Sequence, residues 1–391
     1  MKRIFAFSIP AWGHVNPMLP VVAELVRRGN AVRFYSFDAF KDQIERTGAE
    51  FVSCERRLDP IDAKLEARLK RSTTEMTLQA VRITQTLEDY YRGEFERFAP
   101  DVVFSDYVCF WGKLNARRYG VPLVESVCTF AFNRYSSQYM KSSAREMFDL
   151  IFGLPRVLRA LKKLKARGYK FDGLFSLVQV GGDVDAVVYA TKGFQPFAET
   201  FSERVRFVGP SVFSYPTPKK NPERPLVYVA LGTVVNDRPE FYRKCVEAFR
   251  RQPFDAIISC GTGVDVARFG DLPSNVEVVP HADQLAVLSR ASAFISHCGM
   301  NSASESLLMA TPMILYPQTN EQRAVARRVA ELGAGFELQD ESVAGIRSSV
   351  HRILRETHYS ASAQREREDF LAQPGALGAA DCVEGVGGIG G

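Results

Sequence analysis

The chain has 391 residues, enough for two domains of ordinary size, and its 46% hydrophobic and 24% charged residues describe a globular protein with a substantial core. A net charge of +5, dispersed along the sequence, is too weak to argue for nucleic acid. Seven scattered cysteines without a C-x-x-C favour the reduced thiols of a cytosol over a disulfide framework or a zinc site, and no apolar run is long enough to predict a membrane span.

Met1-Lys2-Arg3 imitates the start of a signal peptide, but Pro10, Gly13 and His14 cut the apolar stretch short and no A-x-A-like site follows, so a cytoplasmic protein is expected. Ile4–Ile9 reads as a buried strand, with His14 in the tight turn after it. Asn16-Pro17 predicts a helix entry, Asn as N-cap and Pro at the first helical position, and Gly29 ends that helix. Ala31–Ser36, Val102–Ser105, Val121–Val124 and Ala186–Ala190 read as further strands. From Pro210 to Pro225 the chain has five prolines among charged residues, which predicts an extended, solvated linker. It separates a first domain, 1–209, from a second, 226–391, which ends in a glycine-rich tail expected to be disordered over its last ten residues. The second part restarts the pattern with strands Leu226–Leu231, Ala256–Ser259, Val276–Val279, Ala293–Ser296 and Met313–Tyr316. The fold class expected is α/β, two Rossmann-like parallel-sheet domains facing a cleft.

"FISHCGMNSASES", Phe294 to Ser306, carries the most chemistry. A strand ends, His297 and Gly299 follow, and a helix begins near Asn301-Ser302. A helix N-terminus at the carboxyl end of a sheet offers free N–H groups to an anion, and Gly299, Ser302 and His297 suit a phosphate there. The competing reading is a capping box, Ser302 with Glu305, and spacing alone leaves the two open. Neither a P-loop nor a dinucleotide fingerprint is present.

"HADQLAVL", "HCGMNSASESL" and "TPMILYPQTNEQ", with the opening "PAWGHVNPMLPVVAELVRRG", resemble family 1 glycosyltransferases of the GT-B fold, and among these the bacterial macrolide and natural-product enzymes. The resemblance spans nearly the whole chain. It implies that Gln284 contacts the uracil base and that His297, Ser302 and the amides near Gly299 and Asn301 hold the pyrophosphate. It further implies that Thr233 faces the phosphates, Glu305 binds the ribose hydroxyls, and Glu321 and Gln322 bind the donor sugar. His281 stands where the family commonly places a Trp that stacks on the base, a departure that reduces stacking area.

Glycosyl transfer needs a base for the acceptor hydroxyl. His14, just past strand one where a cleft is expected, supplies an imidazole with a reference pKa of about 6.5. A carboxylate behind it would fix its tautomer. Asp101 precedes its strand and lies at the wrong end of the sheet, whereas Asp106 follows "VVFS" at the same end as His14, and the resemblance also points to Asp106. Phe110 and Trp111 in "FWGK", and Phe130, Phe132 and Tyr135 in "TFAFNRYSSQY", are candidates for an apolar acceptor pocket or for ordinary core. Arg156 to Lys170 has seven basic residues, no acid, and leucines at helical spacing, which fits weak peripheral contact with an anionic membrane or a solvated helix face whose leucines enter the core.

The five histidines have no H-E-x-x-H spacing, so no metal site and no cofactor are expected, the UDP-sugar being a co-substrate. The resulting expectation is an inverting, metal-independent UDP-glycosyltransferase that moves a hexose, glucose by preference, to a hydroxyl of a lipophilic phenol, flavonoid, macrolide or other polyketide. A nucleotide-sugar epimerase of the same fold and a non-catalytic nucleotide-sugar-binding subunit are the alternatives. Oligomeric state is not legible.

Overall fold

Alternating apolar strands and amphipathic helices build two parallel sheets. In the first, β1 (Arg3–Phe7), β2 (Ala31–Ser36), β3 (Glu50–Ser53), β4 (Val102–Asp106), β5 (Leu123–Val127), β6 (Asp185–Val188) and β7 (Val205–Phe207) lie in the order β3-β2-β1-β4-β5-β6-β7. In the second, β8 (Leu226–Ala230), β9 (Asp255–Ser259), β10 (Val276–Val279), β11 (Ala293–Ser296), β12 (Met313–Leu315) and β13 (Gly335–Glu337) lie in the order β10-β9-β8-β11-β12-β13. This computed structural model describes residues 1–69, 72–139, 144–180, 182, 184–221, 223–232 and 236–386.

Helices cover both faces of each sheet, so central strands such as β4 and β5 are buried throughout and carry no polar alternation. In the first unit the helix Phe110–Tyr119 packs tightly against β1 and β4 because residue 112 is glycine: a Cβ there would lie 2.3 Å from Ser105 Oγ and 2.8 Å from Phe7 Cβ. In the second, Phe241, Tyr242, Phe249, Phe254 and Ile258 are among the buried residues of one apolar core.

The chain divides into two compact units: Met1–Tyr189 with Phe197–Ser211 and the chain from Pro374 onward, and Ala190–Pro196 with Val212–Gln373. The C-terminal segment, expected with the second domain, therefore packs with the first. Arg28 explains why: it donates to Glu24, Asp381 and Glu384, and Asn30 also donates to Glu384. Ala379, Ala380 and Val383 of the same segment are buried. The tail also differs from the disorder expected of it, since Cys382 to Gly385 belong to the helix Gly375–Gly385; residues 387–391 lie outside the described ones. Nor is the proline-rich segment wholly solvated. Lys219 N–H donates to Ser289 O, and Lys220 Nζ donates to Ala291 O and Thr311 Oγ1, which pins this stretch to the second unit.

The Asn16 cap does not form. A separate short helix, Trp12–Val15, precedes Met18–Arg27, and Asn16 closes the first of the two without a side-chain cap on the second. His14 accordingly sits on one turn of helix, not in a turn.

Candidate active site

In the first sheet the order reverses between β1 and β4, the position at which open α/β sheets hold ligands beyond the strands' carboxyl ends. His14 follows β1 there. Asp106, the last residue of β4, is fully buried, and its Oδ2 lies 2.6 Å from His14 Nδ1. Its other oxygen accepts from Val108 N–H at 3.0 Å, which fixes the carboxylate plane. The Tyr107 ring lies parallel to the imidazole, 6.3 Å away. Burial by itself would push the His14 pKa down; the Asp106 carboxylate, aided by Cys128, outweighs it and holds the imidazole well above its ordinary 6.5. Asp101 sits at the opposite end of the sheet, bound by the backbone and guanidinium of Arg3. Gly13 is not needed for the backbone here, since a Cβ on it would meet nothing within 4 Å.

The second sheet reverses between β8 and β11. His297 and Cys298 follow β11, and Gly299 caps the helix Met300–Leu308 with φ −61° and ψ 143° and no side-chain hydrogen bond. Asn301 and Ser302 sit in the first turn of that helix. The Ser302–Glu305 capping box does not form, because Ser302 lies three residues inside the helix. The His297 ring is held between two glycines: a Cβ on Gly232 would approach its Nε2 to 2.4 Å, one on Gly299 to 2.6 Å. Gly232 also has φ +76°. Burial pushes the His297 pKa down to about 4, against a hydrogen bond with the Ala230 backbone, so this imidazole is neutral at pH 7.

Gln284 and Glu305 are brought together. Gln284 Nε2 donates to Glu305 Oε2 at 2.6 Å and to Ser302 Oγ at 3.2 Å. Burial raises the Glu305 pKa to about 7, partly offset by that hydrogen bond. His281 is exposed beyond β10. Glu321 is exposed in the first turn of Asn320–Glu331; Gln322 forms a capping box with Thr319, its Oε1 accepting from the N–H groups of Gln318 and Thr319. Thr233 lies outside the described residues.

The aromatic candidates separate. Phe110 and Trp111 are core, the first packed in a cluster with Val81, Leu114, Val157 and Leu161, the second against Phe37. At 2% and 1% exposure they are packed as core side chains. Phe130 is also buried, edge-on to Tyr139. Phe132 is half-buried, and Tyr135 is exposed beneath the Arg134 guanidinium. Lys113 of the same stretch is a structural ion: fully buried, it pairs with Glu125 at 2.7 Å and donates to the carbonyls of Tyr107 and Leu177. In the basic segment Leu161 and Leu164 enter the core and Leu158 is exposed. The apolar side chains left open on the helix Ala144–Ala166 lie mostly ahead of it, at Phe148, Ile151 and Phe152. No helix among the described residues is long and apolar enough to cross a membrane.

One residue at the first site escapes the sequence reading. Cys128, immediately after β5, is buried with Sγ 3.1 Å from His14 Nδ1. The fold thereby assembles a His/Asp/Cys group where no metal-ligating cluster was expected. A cysteine one residue past a strand neighbouring β4 is the signal, but the strand expected at Val121–Val124 ends too early to reveal it.

Comparison with known proteins agrees with this architecture. Residues 255–384 match the family described as "Erythromycin biosynthesis protein CIII-like, C-terminal domain". The chain is 33% identical to an NDP-glycosyltransferase of Bacillus licheniformis over 98% of this chain and 97% of that one. It is 32% identical to demethyllactenocin mycarosyltransferase of Streptomyces fradiae, covering 99% of this chain and 87% of that one. The crystal structure of the glycosyltransferase of kitacinnamycin superposes with a TM-score of 0.81 at 26% identity, covering 98% of each chain. Two Rossmann-like parallel-sheet units with these relatives define a GT-B glycosyltransferase. The chain belongs to family 1 of these enzymes, the natural-product glycosyltransferases.

Proposed function

We propose that the enzyme transfers a hexose, glucose by preference, from a UDP-sugar to a hydroxyl of a lipophilic acceptor such as a phenol, flavonoid, macrolide or other polyketide, with inversion. The observation that carries this reading is the His14–Asp106 pair, 2.6 Å apart beyond β1 and β4. With Nδ1–H shared with the carboxylate, Nε2 keeps its lone pair for the acceptor's proton, and Asp106 stabilises the imidazolium that forms. The acceptor oxygen attacks the anomeric carbon as the bond to the diphosphate breaks.

The donor belongs to the second unit. The N-terminus of Met300–Leu308, entered through Gly299, and the neutral His297 imidazole suit the diphosphate. Glu305 and Gln284, already hydrogen-bonded to one another, suit ribose and base, while Glu321 and Gln322 suit the sugar. Gln322 has its carbonyl oxygen committed to the cap, so only its amide nitrogen is expected to donate to the sugar. Leaving-group stabilisation is assigned to the first-turn amides of Met300–Leu308 and to His297, without a divalent ion.

That both named relatives and the solved neighbour are glycosyltransferases favours transfer over the epimerase and the binding-subunit readings. The test is incubation with UDP-glucose and dTDP-glucose, with and without EDTA, and a panel of phenols and macrolides, followed by mass spectrometry. Glycosides formed with UDP-glucose, undiminished by EDTA, are expected. Free glucose or an epimerised donor with no glycoside from any acceptor would contradict the reading.

A further inference from the structure

His14, Asp106 and Cys128 come from three neighbouring strand ends, β1, β4 and β5, and converge on one small space. Nδ1 lies 2.6 Å from Asp106 Oδ2 and 3.1 Å from Cys128 Sγ, and the sulfur lies 4.0 Å from the same carboxylate oxygen. We propose that these three side chains form a binding site for a thiophilic divalent cation of the zinc class, and that the bound metal blocks transfer. The second clause rests on the reading of His14 as the base; the first does not.

The donor set is the primary argument. One imidazole nitrogen, one carboxylate oxygen and one thiolate are ligands that suit zinc, with water completing the tetrahedron. Bond lengths of about 2.0–2.3 Å place tetrahedral ligand atoms roughly 3.3–3.6 Å apart. Each of the three separations reaches that range with a movement of about 0.7 Å or less. Charge supports it as well: a carboxylate and a thiolate together neutralise a dication, so the buried, filled site has no net charge. Asp106 and Cys128 are buried, and the entry side is the imidazole, whose side chain is 18% exposed.

From the imidazolium, occupation replaces two protons, one on Nδ1 and one on the thiol, and both leave to solvent; from the neutral ring the Nδ1 proton passes to Nε2 and only the thiol proton is released. In either case the metal takes the lone pair of Nδ1 and Nε2 carries a proton, so it can no longer accept one from an acceptor hydroxyl. Magnesium, which prefers an octahedron of oxygens, has too few hard ligands here.

The experiment is a titration of the full-length reduced protein with Co²⁺ alone, read by absorption. One equivalent is expected to give a near-ultraviolet thiolate-to-cobalt band with visible bands of tetrahedral intensity. Zn²⁺ displaces them, and Mg²⁺ at large excess produces none. Cys128→Ser abolishes the near-ultraviolet band. His14→Ala, at a partly open position that leaves the core untouched, weakens Co²⁺ binding at least tenfold. Transfer by the wild type is inhibited by Zn²⁺ and restored by EDTA, and Cys128→Ser is at least tenfold less sensitive relative to its own metal-free rate. Absence of the band in the wild type, or its persistence in Cys128→Ser, would overturn the site. A band lost in Cys128→Ser and binding weakened in His14→Ala as expected, with transfer unaffected by Zn²⁺, would leave the metal site standing and instead count against His14 as the base.

Discussion

Two imidazoles, one in each unit, lie beyond strands that flank the reversal of their sheet's order and are driven in opposite directions. His14 and His297 each follow a strand at the point where the sheet order reverses, and burial disfavours the charged form of both. His14 has a buried carboxylate at 2.6 Å and is held well above 6.5. His297 lies between two glycines with no carboxylate beside it and falls to about 4. The neighbours, not the burial, decide which histidine can hold a proton. One is built to take up a proton and have it held by a carboxylate, the other to stay neutral and donate a hydrogen bond.

The sharpest way to break this contrast is to remove each ring's defining contact. His14→Ala is expected to lower turnover by about 10²–10⁴, the usual cost of losing a general base, with UDP affinity unchanged by calorimetry. Turnover near wild type would remove His14 from the chemistry. Gly232→Ala attacks the other ring. It adds a Cβ 2.4 Å from His297 Nε2 at a residue with φ +76°, and strain plus displacement of the imidazole, each about 1–3 kcal/mol, should weaken donor binding by tenfold or more. Unchanged donor affinity would mean that the glycine cradle has no bearing on the diphosphate.

A smaller effect concerns Glu305. Charged hydrogen bonds are worth about 1.5–3 kcal/mol, so Glu305→Ala should weaken UDP-sugar binding roughly tenfold and dTDP-sugar binding less, because dTDP lacks the 2′ hydroxyl. The carboxyl is raised to about 7, and only its ionised form accepts from both hydroxyls. Wild-type affinity for UDP-sugar should therefore rise as pH increases through 7, and this slope should vanish in Glu305→Ala. Equal loss for both nucleotides, with no change in slope, would exclude the ribose contact.

The apolar strands and the chemistry at their ends were legible because they are written locally. Val276–Val279 and Ala293–Ser296 match their strands residue for residue, and polarity at the strand ends was enough to prefer Asp106 over Asp101. The edge strands β3, β7 and β13 were not legible: EFVS, VRF and GFE each hold at most two large apolar residues beside a charge, against three valines in β10. Phe110 and Trp111 read equally as pocket or core, and the partners that bury them, Val81, Val157 and Leu161 for the first and Phe37 for the second, are distant in sequence. The same holds for Lys113, whose partner Glu125 is on the next strand. Cys128 was hidden for a related reason, since its meeting with His14 depends on β1, β4 and β5 being neighbours.

The most direct test is the pH profile of kcat/KM for the wild type and Asp106→Asn, measured with metal-free enzyme at saturating donor. Transfer needs His14 without its ionising proton, so the rate should fall as pH drops through the His14 pKa. With the carboxylate present, that acid limb should lie above 6.5. Asp106→Asn removes the charge that opposes burial, and the limb should move to lower pH while the plateau rate falls. An acid limb that stays in place in the variant, or that is absent from the wild type, would contradict a His14 base held by Asp106.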